Sequence, residues 1–214
     1  MTQDDVRAVR ERFDARAPSY DDSEMHRGLA DAVAAFVELD GVTRVLDVAT
    51  GTGLVLRALR QRPDAPAGLW LTGVDLSPGM LEVARTHLPD ATLLVADARR
   101  LPLPDASVDL LTCVTALHLV PDTAVVLEQW DRVLAPGARA VIATFAAFDP
   151  ARHHREQQPG APAPYPLRHE PFATPEALAR TAGGRFVVRR HARWTDGHEV
   201  LLLAELARPS DDTR

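Results

Sequence analysis

The sequence is almost without cysteine. Cys113 is the single thiol in 214 residues, so no disulfide can form within the chain, and no Cys/His cluster has the spacing of a structural zinc site. No metal is expected, and a reducing cytoplasm is the expected compartment. Long apolar runs are missing too. None approaches the roughly 20 residues needed to cross a bilayer, and Asp4, Asp5, Arg7, Arg10, Glu11 and Arg12 crowd the start of the chain, which reads as neither a signal peptide nor a membrane anchor. An excess of positive charge is also lacking. With 24 Lys and Arg against 30 Asp and Glu, the net charge of −6 gives no general basic surface for a phosphate backbone, so nucleic acid is not an expected partner.

What the chain does have is enough apolar content, 46%, to bury one substantial core, and its length fits a single domain. Residues 4 to 16 and 25 to 38 read as amphipathic helices, the second with Leu29, Val33, Phe36 and Val37 at helical spacing, and Pro18 to Asp22 breaks the run between them. From residue 44, β-rich runs at 44–48, 69–74, 91–95, 108–113 and 138–144 alternate with helical stretches at 52–61, 78–87 and 122–133. Such alternation predicts a parallel sheet covered on both faces by right-handed crossovers. Two last strands, 185–194 and 199–206, flank Asp196-Gly197, a strong hairpin signal. The expected fold is therefore α/β: Rossmann-like and doubly wound, a mostly parallel seven-stranded sheet with an antiparallel C-terminal hairpin and two extra N-terminal helices. Residues 146 to 171, rich in proline and histidine, read as a loop or lid inserted in a core of residues 41–207, and 208–214 as a frayed polar tail.

Ligands of doubly wound sheets bind at the carboxyl ends of the strands, and acids recur there. In Val45-Leu46-Asp47-Val48-Ala49-Thr50-Gly51-Thr52-Gly53 a buried strand runs directly into a glycine turn and then a helix. Glycines in that place let the backbone pass close to a ligand, although a purely structural turn looks the same. Gly73-Val74-Asp75-Leu76-Ser77 puts a second acid where a ribose is commonly held, and Val95-Ala96-Asp97-Ala98 a third. Each acid alone could be the N-cap of the next helix; three in succession point to one rim of the sheet. A dinucleotide fingerprint would need a third glycine, and Leu56 stands at that position.

These segments resemble the class I S-adenosylmethionine-dependent methyltransferases, particularly the branch with ubiquinone/menaquinone C-methyltransferases and biotin-pathway O-methyltransferases. The resemblance runs through Phe13 to Asp21, Asp47 to Gly53, Gly73 to Met80, Asp97-Ala98, Leu101 to Asp105, Ser107 to Asp109 and Arg132 to Gly137. It implies S-adenosylmethionine as cofactor, S-adenosylhomocysteine as product and a small-molecule methyl acceptor. Asp47, Ala49 and Gly51 would then line the methionine end, Gly53 would belong to the same cofactor-binding turn, and Asp75, with Leu76 beside it, would hold the ribose hydroxyls. Met80 would pack on the adenine, unless it is plain core. Asp97 and Ala98 would meet the adenine edge. Thr115 would reach the cofactor from the fourth strand, and Tyr20 would close over it from N-terminal helices (residues 1–40) acting as a lid. Ala49 departs from the glycine of many relatives, but a quinone-methyltransferase-like subset shares it. A homodimer is compatible with the resemblance.

Methyl transfer needs alignment and, for some acceptors, a base. His118 is the candidate base after the fourth strand, with packing at the strand end as the alternative. His153, His154 and His169 lie in the supposed lid, as do Arg152, Arg155 and Arg168 for an anionic substrate. Trp130, Phe145, Phe148 and Tyr165 are candidates for an apolar acceptor pocket, though Trp130 reads more readily as part of the helix core. The competing function is a fold that keeps the cofactor pocket for a pericyclic or cyclising reaction, or as a silent partner protein.

Overall fold

A computed structural model describes residues 3–120, 122–147 and 168–209. The helices are α1 (Gln3–Arg16), α2 (Glu24–Phe36), α3 (Leu54–Arg60), α4 (Pro78–His87), α5 (Thr123–Val133) and α6 (Pro175–Ala182). The strands are β1 (Arg44–Val48), β2 (Trp70–Asp75), β3 (Thr92–Val95), β4 (Val108–Val114), β5 (Leu134–Ala147), β6 (Val187–Thr195) and β7 (Val200–Ala207). The seven strands form one sheet in the order β3-β2-β1-β4-β5-β7-β6. The first five run parallel, and β7 lies antiparallel to both β5 and β6, as the alternation and the Asp-Gly signal predict. The greater parts of the supposed lid and tail, with His153, His154, Arg152, Arg155, Phe148 and Tyr165, lie outside the described residues.

Period-two patterning divides the core. Leu46, Leu111 and Ile142 point to one face, where α5 and α6 supply Trp130, Val133 and Leu178. Their neighbours Val45, Leu110 and Val141 point to the other, covered by Leu29 and Val33 of α2 and Leu56 and Leu59 of α3. Consecutive strand residues bury on opposite sides because strand side chains alternate. Trp130 is fully buried, so it belongs to the helix core and shapes no pocket.

Three differences from the sequence reading have a local cause. β5 starts at Leu134 rather than 138, since Leu134 already pairs with Val108 before the turn at Gly137. The helix after β1 starts at Leu54, because Gly53 at φ 80° is its left-handed N-cap. α6 was not anticipated: eight residues give little periodicity, though its limits are signalled by Thr174, whose hydroxyl accepts from Ala177 N, then Pro175, and Gly183 at φ 60°.

Order along the sheet reverses between β1 and β4, since the chain builds β1-β2-β3 outward and then returns to lay β4 on the other side of β1. The carboxyl ends at that reversal are where a doubly wound sheet leaves a crevice. Gly73 keeps the crevice floor in place. A Cβ there would lie 2.7 Å from Thr50 Cγ2 and 2.8 Å from Leu93 Cδ2, so the turn after β1 crosses β2 only because position 73 has no side chain. We expect Gly73→Ala to lower unfolding stability by about 1–3 kcal/mol through overpacking; an unchanged urea midpoint would show that the turn has room to move.

Candidate cofactor site at the strand ends

Two cavities meet over the carboxyl ends of β1 and β4. The larger, about 790 Å³ including its open mouth, is lined among others by Asp75, Leu76, Met80, Asp97 and Ala98. The smaller, about 400 Å³, is lined by His26, Asp47, Thr50 and Thr52. Tyr20, Ala49, Gly51, Val114 and Thr115 border both.

The junction is built from unusual backbone. Ala49 (φ 58°) and Thr115 (φ 51°) are two of the three non-glycine residues with positive φ among those described, and Gly51 (φ 55°) is left-handed as well. Such conformations cost on the order of 1–3 kcal/mol each for a residue with a side chain, and they persist where surrounding structure over-determines them. Here backbone bonds do so: Thr50 N donates to Val74 O at 3.0 Å, and Thr115 N to Ala143 O at 2.8 Å. A Cβ on Gly51 would sit 4.0 Å from both Met80 Sδ and Tyr20 Cε1, protruding between the two walls.

Asp75 ends β2 with its carboxylate already oriented. Oδ2 accepts from Gly51 N and Oδ1 from Ser77 N, both at 2.8 Å. Burial pushes its pKa up, against the lowering effect of those N–H donors. Asp47 is deeper, 2% exposed. It sits opposite Thr112 on β4, whose hydroxyl donates to Oδ1 at 2.6 Å, and burial raises its pKa to about 7. Asp97 lines the larger cavity with its carboxylate gripped by Arg99, Nη2 to Oδ2 at 2.6 Å. Partial burial raises its pKa, but the hydrogen bonds and charge of Arg99 outweigh that and hold it below the ordinary range. Met80 is 1% exposed yet borders the cavity, so it is at once core and wall.

The sequence reading brought Tyr20, Asp47, Ala49, Gly51, Asp75, Leu76, Met80, Asp97, Ala98 and Thr115 to one place, and all ten border these cavities. Gly53 does not. It is buried behind the turn, where a Cβ would come within 2.7 Å of Leu88 Cδ1, and its role is in the chain path. His118 also stands apart. In the short 3-10 turn Leu117–Leu119 it is 8% exposed and outside both linings, stacked on His169 at 4.3 Å and edge-on to Phe145 at 5.5 Å. Arg168 N donates to its carbonyl at 3.0 Å.

Sequence reasoning missed how the roof is fastened. Val9, Arg10 and Phe13 of α1 line the larger cavity. Asp14 accepts from Ser77 Oγ (2.6 Å) and Gly79 N (2.9 Å), capping α4 from outside. Asp21 accepts from Thr52 Oγ1 and pairs with Arg57, each at 2.5 Å. The quoted Phe13-to-Asp21 segment held both acids, but pairings this far apart in sequence have no local signature. Between them stands Tyr20, stacked on His26 at 4.3 Å. Burial raises the Tyr20 pKa to about 12, and burial lowers that of His26 to about 4, the Arg16 charge adding to it, so at neutral pH both rings are uncharged. Among the described residues no group of three or more His, Cys, Asp or Glu side chains is gathered as metal ligands would be, and no helix is long and apolar enough to cross a membrane.

Asp47 gives this site a pH signature. Between the ordinary aspartate value and about 7 the folded chain holds a proton that the unfolded chain has released, so stability falls as pH rises through that window. Asp47→Asn should remove this slope, worth up to a few kcal/mol. Urea midpoints at about pH 5 and pH 8 that differ as much in the variant as in the parent would show that Asp47 is not its source.

With this geometry in place, comparison with known proteins is informative. Residues 46–142 match the family described as a methyltransferase domain. The chain is 40% identical over 154 residues to a demethylmenaquinone methyltransferase of Deinococcus radiodurans, an alignment covering 67% of this chain and 62% of that protein. One chain of the complex between the Haloferax volcanii Trm112 methyltransferase activator and a methyltransferase superposes with a TM-score of 0.70, at 26% identity, over 94% of this chain and 98% of that one. The DhpI–SAH complex shares the fold, with a TM-score of 0.70 and 20% identity over 98% of this chain and 100% of the other. The resemblance to class I methyltransferases read from the motifs stands, and the family match supports S-adenosylmethionine as the cofactor.

Proposed function

From a chain whose residues 46–142 match a methyltransferase domain, we propose that the whole protein is a class I, S-adenosylmethionine-dependent enzyme transferring a methyl group to an O, N or C atom of a small-molecule metabolite. One observation carries this reading: two unequal cavities join at Tyr20, Ala49, Gly51, Val114 and Thr115, with Asp75 and Asp97 on one side and Asp47 on the other. A long molecule with a nucleoside at one end and an amino acid at the other fits that division. Asp75 would accept from ribose hydroxyls, while Leu76, Met80, Asp97 and Ala98 enclose the base. Asp47, with Ala49 and Gly51, would receive the amino-acid end.

When bound, S-adenosylmethionine supplies an electrophilic methyl group on a good leaving group. The chain's own part is placement and exclusion of water, which can supply on the order of 7–11 kcal/mol of the barrier. Tyr20 and Thr115 stand at the junction, where a reacting methyl would lie; Tyr20, protonated at neutral pH, can orient but not remove a proton there. The helices of residues 1–40 divide the work in this proposal: α1 and the turn after it roof the cleft, whereas α2 is core. A buried cysteine whose pKa burial drives upward is inert, which suits a cytoplasmic enzyme. No observation favours a pericyclic enzyme or a silent partner protein.

Calorimetric titration tests the assignment. Asp75→Ala should weaken S-adenosylmethionine binding by roughly 10- to 100-fold, as loss of hydrogen bonds to a charged group does, and equal affinity in the two proteins would refute it. Methyl-labelled cofactor turned over without label in any offered acceptor would speak for the non-methylating alternative.

A further inference from the structure

The roof of the cleft carries charge that the cofactor does not call for. Arg10, Phe13 and Arg16 follow one another at intervals of three on α1, so they share a face of the helix, and Arg10 and Phe13 line the larger cavity. The Arg16 guanidinium carbon lies 5.9 Å from the centroid of Phe13 and 5.5 Å from that of Tyr20, and both rings are cavity walls. Among the described residues Arg16 has no carboxylate partner. Arg10 has one, Asp14 at 3.6 Å, whose carboxylate is also held by Ser77 Oγ and Gly79 N. Both guanidinium groups therefore keep N–H donors for a ligand.

S-adenosylmethionine gives those donors little reason to be there. Its nucleoside is neutral, its sulfonium is positive, and the amino-acid end is assigned to the other cavity, beside Asp47. The same cavity is also lined by Ala116, Leu119 and Val120, an apolar stretch of its wall. Resting on the methyltransferase reading, we infer that the acceptor is an amphiphilic anion. Its apolar, flat body lies between Phe13 and the Leu119–Val120 wall, and its acidic group is met by Arg10 and Arg16. A planar fork matches a carboxylate or phosphate better than a point charge does, and stacking on aromatic faces holds it ready.

The test needs no knowledge of the natural acceptor. Protein saturated with S-adenosylhomocysteine is titrated with 2-naphthoate, 2-naphthyl phosphate and the uncharged 2-naphthalenemethanol. We expect either or both anions to bind at least about tenfold more tightly than the alcohol, a preference that fades with added salt. In Arg10→Gln and Arg16→Gln combined, that ratio should fall to within about twofold while affinity for S-adenosylhomocysteine stays within about twofold. Which anion wins separates carboxylate from phosphate recognition. Equal binding of acid and alcohol, absence of anion binding to the loaded protein, or a preference untouched by the double substitution overturns the inference. So does a loss of S-adenosylhomocysteine affinity in the variant, since the arginines would then serve the cofactor's own carboxylate. Failure of S-adenosylhomocysteine to bind the parent protein would instead bring down the methyltransferase reading beneath it, and this inference with it.

Discussion

One hydrogen bond organises the cleft: Gly51 N–H donating to Asp75 at 2.8 Å. It joins the turn after β1 to the end of β2, so the left-handed run through Ala49 and Gly51 and the carboxylate that faces the cavity are fixed by each other. Both partners are withdrawn from bulk water, where an unmade bond would cost about 1–3 kcal/mol, and that penalty helps offset the strain in the turn. Gly73 and Thr50 pack beneath it, and Ser77 extends the arrangement by donating its N–H to the same carboxylate and capping Met80 N. Shift this bond and the floor, the carboxylate at the end of β2 and the start of α4 move together.

Opposing electrostatic demands meet in a small space. Asp47 and Asp75 are both buried acids, and the charge of Asp75 adds to the upward pressure on Asp47. Burial costs a carboxylate heavily unless it is paired or bonded. Asp75 meets that demand with backbone N–H groups, Asp97 with Arg99, and Asp47 only in part, through Thr112. The least satisfied carboxylate thus lies in the smaller cavity, where a cationic ammonium group would be most welcome.

The strands and the terminal hairpin were legible because their signals are local: β-rich runs, alternation with helices, and Asp196-Gly197, where Asp196 Oδ1 accepts from His198 N and Glu199 N. The rim residues were legible for a related reason, since topology forces strand ends together and the motifs mark those ends. Arg99 on Asp97, the fastening of Asp14 and Asp21, and α6 were not. The first reflects a side chain curling back two residues, a choice made by the shape of the turn. The fastenings span 63 and 31 residues for Ser77–Asp14 and Thr52–Asp21 and exist only once the fold has assembled. His118 shows a place where local sequence could not choose between its two readings, since its ring contacts with His169 and Phe145 come from segments distant in the chain.

The two N-terminal helices are attached in different ways. Leu29, Ala30, Val33 and Ala34 sink α2 into the core, whereas among the described side chains of α1 only Val9 is buried, and the helix is otherwise fastened by polar side chains. Hydrophobic packing ties a segment's sequence to the whole fold; a few hydrogen bonds leave most of its surface unconstrained. The outer face of α1 can thus be rewritten at little cost to the fold, whereas any change on the inner face of α2 is felt by the whole core.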